Sequence, residues 1–112
     1  MSKPRFLYQL QIKCAPELED EFNKWYNEVH IPLVMKGGML KAVTRYELTD
    51  AVESDLPKYT TICEFEDRET FEKWLASDEL AVAREDRVAV MSGKDVEWTS
   101  RAFYEPMARF GD

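Results

Sequence analysis

Residues 25–38 read WYNEVHIPLVMKGG. The stretch closes a helix, carries the chain's one histidine, His30, and turns the chain back into a strand. Leu18, Phe22, Trp25, Val29 and Leu33 recur at helical spacing and predict the buried stripe of that helix. Tyr26 and His30, four residues apart, run along one edge of the stripe. Pro32 disfavours the α conformation at Ile31, so the helix is expected to end or kink near His30. Gly37 and Gly38 then permit the positive φ of a tight turn. At the start of the helix, Pro16 suits the first helical position. Glu17, Glu19, Asp20 and Glu21 complement the positive end of its dipole.

Outward from this stretch the pattern changes to period two. In residues 5–14, Phe6, Tyr8, Leu10, Ile12 and Cys14 alternate with Leu7, Gln9, Gln11 and Lys13, as in a strand with one apolar face. Residues 39–49 predict a second strand, with Leu40, Ala42, Thr44, Tyr46 and Leu48 on one face and Val43 and Arg45 on the other. A polar connection over residues 50–57 leads to a third strand, 58–66, which faces Tyr59, Thr61, Cys63 and Phe65 one way. The short link predicts that these two strands pair antiparallel. Asp67 and Ser77 look like successive helix caps, so the next helical region is expected to break near Ser77. Its inward residues read as Phe71, Trp74 and Leu75, then Leu80, Ala81, Arg84 and Val88. Residues 95–104 predict a fourth strand, with Val96, Trp98, Ser100, Ala102 and Tyr104 sharing a face.

Strand, helix, strand, strand, helix, strand is the order of an α+β ferredoxin-like βαββαβ domain. Its helices cover one face of an antiparallel four-stranded sheet. The open face, with Leu7, Val43 and Ile62 among polar residues, is suited to pairing with a second copy. Residues 1–112 are expected to form one domain.

Composition narrows the functions. A net charge of −7 disfavours a nucleic-acid partner, which needs a basic surface. The N-terminus has no apolar leader and no stretch has membrane-spanning length, so a cytoplasmic protein is expected. Cys14 and Cys63 read as reduced core residues, although a disulfide between neighbouring strands stays open. Two cysteines and one histidine, without ligand spacing, predict no metal site. There is no phosphate-cradling glycine loop and no dinucleotide fingerprint.

The stretch from Phe22 to Leu48 resembles the dimeric α/β-barrel superfamily, in particular its EthD-like branch. The resemblance rests on Trp25, His30, Pro32, Gly38 and the Arg45–Tyr46 pair, with Trp74 matching an aromatic of the second helix. It implies a homodimer, a pocket between sheet and helices, and a cofactor-independent enzyme acting on a small molecule. The haem-degrading branch is less similar, because its haem-ligand histidine lies on the second helix, where this sequence has none.

His30 is the one side chain whose ordinary pKa lies near neutrality, which makes it the candidate general acid or base. Capping the last carbonyls of its helix is the competing role. Tyr26 is either a half-buried tyrosine or a partner that orients His30. Tyr8 and Tyr46 are candidate donors to a substrate oxygen, with core packing as the alternative. Trp74, Trp98 and Phe65 are candidates for an aromatic pocket wall, and Trp25 for core. Arg45 is either a carboxylate binder or half of an intersubunit salt bridge with Glu64. Arg84-Glu85-Asp86-Arg87 reads as a solvated helix face. Together these residues suggest lyase, isomerase or cyclase chemistry on an aromatic or apolar oxygenated metabolite, with His30 moving the proton. A cofactor-free monooxygenase and a non-catalytic binding or stress-response protein are the alternatives.

Overall fold

Alternating side chains commit the strands to one sheet. β1 (Phe6–Cys14), β2 (Leu40–Glu47), β3 (Tyr59–Phe65) and β4 (Val96–Tyr104) lie in the order β2-β3-β1-β4. Every neighbouring pair is antiparallel. The structure, a computed structural model, describes residues 4–53 and 55–111. The first residues, where no leader is expected, and Ser54 of the 50–57 connection lie outside the described residues. A 3-10 turn, Pro16–Leu18, opens the first helical run. It continues as α1 (Glu19–Trp25), a π-helical turn (Tyr26–His30) and α2 (Ile31–Met35). α3 (Arg68–Leu75) and α4 (Asp78–Met91) follow β3. Asp67 caps α3 by accepting the Thr70 N–H at 2.8 Å, and the Ser77 hydroxyl accepts the Leu80 N–H at 3.2 Å. The predicted α+β ferredoxin-like order and the break near Ser77 are both found.

The helices pack on one face in two apolar clusters. One gathers Phe6, Phe65, Phe71 and Trp74, the other Ile12, Phe22, Trp25, Tyr26, Tyr59 and Met91. Ile31 packs against both. Two indole N–H groups tie helices together as these rings are buried. Trp74 donates to the Val34 carbonyl at 2.9 Å, and Trp25 donates to the Asp86 carboxylate at 2.8 Å.

Three one-residue slips separate the structure from the simple periodicities. The regular α-helix is interrupted near His30, as expected, but the helical run continues beyond it, because a π turn absorbs Pro32. Ile31 N–H reaches back five residues to the Tyr26 carbonyl, and the wider turn accommodates a ring that would crowd an α-helix. The extra residue rotates the stripe. Val29 is 39% exposed, and Tyr26, His30 and Val34 turn inward instead. In β2, a bulge at Lys41 breaks the alternation, since Leu40 pairs with Phe65 but Ala42 with Glu64. Val43 and Arg45 therefore oppose Cys63 and Thr61 on the helix-covered face, and Tyr46 opposes Thr60 on the open face. In β4, Thr99 is the extra residue, since Gln11 pairs with Ser100 and Ile12 with Trp98. Trp98 thus stays inward with Arg101 and Phe103, whereas Ser100, Ala102 and Tyr104 face outward.

The α4 stripe also differs. Leu80, Ala83 and Met91 are its buried residues, and Val88 is exposed. Both cysteines are free thiols. The tail beyond Tyr104 leaves Met107 and Phe110 exposed. Among the described residues no helix is long and apolar enough to cross a membrane, and no cluster of His, Cys, Asp and Glu could hold a metal ion.

Candidate functional site

The π turn aims His30 into a cleft between sheet and helices where the two apolar clusters meet. Tyr8 and Leu10 of β1, Cys63 of β3, Trp74 of α3 and Trp98 of β4 line it with His30. His30 Nδ1 is buried and has no hydrogen-bond partner among the described residues. The Trp25 ring stacks on the imidazole with centroids 4.8 Å apart, and the Tyr26 ring lies at 5.2 Å. Burial in this aromatic setting, aided by the Arg87 guanidinium, lowers the imidazole pKa to about 4 against the weaker opposing pull of Asp86. The ring is therefore neutral at pH 7, with one nitrogen free to accept a proton. A cap on helix-terminal carbonyls is not its role, because the helix runs on to Met35.

Tyr26 is held elsewhere. Its hydroxyl and the Thr61 hydroxyl lie 3.0 Å apart, and the two residues are 2% and 0% exposed. Burial pushes the phenol up to about 12 against the Thr61 hydrogen bond, so it stays protonated. Each hydroxyl thus satisfies a group that would be costly to bury alone. Tyr8 is only half-buried, and burial raises its pKa too, although Arg101, Arg84 and Arg87 pull the other way.

Among the sequence candidates, His30, Tyr26, Tyr8, Trp74 and Trp98 share this cleft. Phe65, fully buried in the core, does not line it. Arg45 donates to the side-chain oxygens of Asn27 and Asn23 at 2.8 Å each, with its guanidinium 4.5 Å from the Tyr26 ring centroid. That placement makes it a clamp on the first helix, and Glu64 pairs with Arg5 at 3.5 Å instead. Tyr46, 56% exposed, lines a separate depression on the open face with Gln11 and Thr60. Its shift follows from the Lys41 bulge.

Three charged lining residues were not among the sequence's site candidates: Arg84 of α4, which the helical spacing placed inward, Arg87 of α4 and Arg101 of β4. Arg84 and Arg87 are three apart and continue the line of Leu80 and Ala83 toward Met91. Charged residues on a buried stripe were the available signal, and the neighbouring Glu85 and Asp86 masked it. Arg101 was hidden by the Thr99 bulge. The cleft has a volume of about 50 Å³. One water needs roughly 10–15 Å³ by that measure, so the closed cleft admits only a few.

Solved structures share this architecture. An EthD-family protein from Bacillus halodurans superposes with a TM-score of 0.68 at 17% identity, covering 91% of this chain and 99% of its own. HapK from Hahella chejuensis gives 0.69 at 12% identity, covering 96% and 97%. The haem-degrader MhuD from Mycobacterium tuberculosis, solved with two haems in its active site, gives 0.66 at 12% identity, covering 95% and 99%. At such identities the likeness is one of fold, and it bears out the α+β ferredoxin-like fold that the resemblance implied. No curated protein sequence matches the chain. Residues 5–89 match DUF4286, a domain of unknown function, and the chain belongs to that family.

Proposed function

We propose that this chain is a cofactor-independent enzyme that moves a proton on a small apolar or aromatic oxygenated metabolite, by lyase, isomerase or cyclase chemistry, with His30 as the proton carrier. The observation that carries this reading is the buried, unpartnered Nδ1 of a neutral imidazole inside an aromatic cleft. A histidine in solvent would instead have favoured a binding-only protein.

The chemistry follows from the surroundings. The neutral imidazole takes a proton from carbon beside a carbonyl, and the electron pair moves onto the carbonyl oxygen. Tyr8 serves that oxygen better than Tyr26, because the Tyr26 hydroxyl is committed to Thr61. An imidazole of low pKa is a weak base on its own. The negative charge forming beside it raises its proton affinity as the transfer proceeds, and the nearby guanidiniums hold the oxyanion.

The test is His30→Asn, checked for native fold and assayed on phenolic and lactone substrates with an oxygen electrode in the cell. Turnover should fall about 10²–10⁴-fold, the usual worth of a positioned acid–base group. Unchanged turnover in a folded variant removes His30 from the mechanism. Stoichiometric oxygen uptake transfers the site to the monooxygenase reading.

We also propose that the active form is a homodimer formed through the open sheet face. Leu7, Tyr46, Ile62 and Tyr104 stand on that face without a covering layer, and Tyr46 and Tyr104 are exposed.

A further inference from the structure

The cleft around His30 has a polarity that its apolar walls do not explain. The chain has 22 acidic and 15 basic side chains. Yet among the described residues no Asp or Glu lines the cleft, and three arginines do. Elsewhere the described arginines are engaged: Arg5 with Glu64, Arg68 with Glu72 and Glu105, Arg45 with two asparagines. Arg84, Arg87 and Arg101 have no ion-pair partner among the described residues. Asp86, the nearest carboxylate in sequence, accepts the Trp25 N–H instead. The Arg87 guanidinium lies over the Trp98 ring, 5.2 Å from its centroid. Burial lowers the Arg87 pKa, and repulsion from Arg101 and Arg84 lowers it further, so the cleft holds crowded like charge.

We infer that the cleft takes a small carboxylate, with its charged head among Arg84, Arg87 and Arg101 and its apolar body against Trp98, Trp74 and Leu10. The inference rests on the reading of this cleft as the functional site and adds the class of its ligand. A planar carboxylate matches the bidentate N–H fork of a guanidinium and discharges the repulsion among three cations. It also couples to His30. Arg87 and Asp86 of α4 act on the charge of that ring and Tyr26 packs beside it, while Tyr8 on β1, Cys63 on β3, Arg84 on α4 and Arg101 on β4 are the other titratable groups lining the cleft. An anion seated beside Arg87 offsets the field of that guanidinium at the imidazole, so a bound carboxylate raises its proton affinity.

The experiment uses benzoate, its uncharged isostere benzamide, acetate and inorganic phosphate as probes, read by backbone and imidazole NMR shifts of the full chain. Benzoate should shift the residues of this cleft and bind about tenfold or more tighter than benzamide or acetate. It should also raise the apparent pKa of the single imidazole. Arg87→Gln should weaken benzoate about tenfold or more, with partial recovery in Arg87→Lys, and the exposed Arg84→Gln and Arg101→Gln give the same reading without risk to the core. Equal binding of benzamide, tighter binding of phosphate, or shifts confined to another surface would overturn the inference. If benzoate binds as expected while His30→Asn keeps full turnover, the catalytic proposal fails and the carboxylate site stands.

Discussion

At the scale of residues, His30 is set by what surrounds it rather than by its sequence neighbours. Trp25 covers one face of the ring, Tyr26 packs beside it, and Arg87 adds repulsion to the cost of burial. The folded pKa, about 4, lies below the ordinary 6.5, so the unfolded chain takes up the proton first as pH falls. This stability term is complete above about pH 6.5 and is lost progressively down to about pH 4. The loss is roughly 3 kcal/mol at most, because each pKa unit is worth about 1.4 kcal/mol. Urea unfolding across that window should show a flatter profile for His30→Asn than for the native chain. Equally steep profiles would assign the acid sensitivity to carboxylates. The residue scale also explains Arg45, which the sequence offered as a ligand binder. On the inward side of β2 it finds two asparagine oxygens and an aromatic face, which hold it in place.

Among the elements, the first helical run decides the site. Element order, caps and the antiparallel sheet were legible because they follow from alternation, spacing and proline or glycine punctuation. The side chains of the site were legible only where no slip intervened. Tyr8 and Trp74 follow undisturbed periodicity, and both line the cleft. Tyr46 and Arg45 exchanged faces through one bulge, and Arg101 came inward through another. A bulge is chosen by cross-strand packing and twist, which a single strand's pattern does not contain. The π turn belongs to the same class, since Pro32 announces a disturbance but not its form. Its consequence can be measured. The hydrogen bond between Tyr26 and Thr61 fastens the turn to β3, so Tyr26→Phe should cost about 1–3 kcal/mol by stranding a buried hydroxyl. Adding Thr61→Val should recover part of that loss, because no polar group is then left unpaired. A double variant as unstable as the sum of the two singles would show that the pair is not coupled.

Over the whole molecule, two faces of one sheet have different work. The covered face holds the cleft, and the open face presents Leu7, Ile62 and two exposed tyrosines. If the open face pairs two copies, Ile62→Glu should convert a dimer to a monomer in sedimentation equilibrium while leaving circular dichroism unchanged, since a buried unpaired charge is not tolerated at an interface. A chain already monomeric at micromolar concentration would refute the pairing. The acidic surface and the arginine-lined cleft form a second contrast: net charge −7 overall, with three guanidiniums gathered around one neutral base. The buried, cationic setting of His30 is the centre of the account, and the chain's single histidine makes it directly observable. An NMR pH titration of that imidazole in the free protein should give an apparent pKa of about 4. A value near the ordinary 6.5 would mean a solvated ring and would contradict the site.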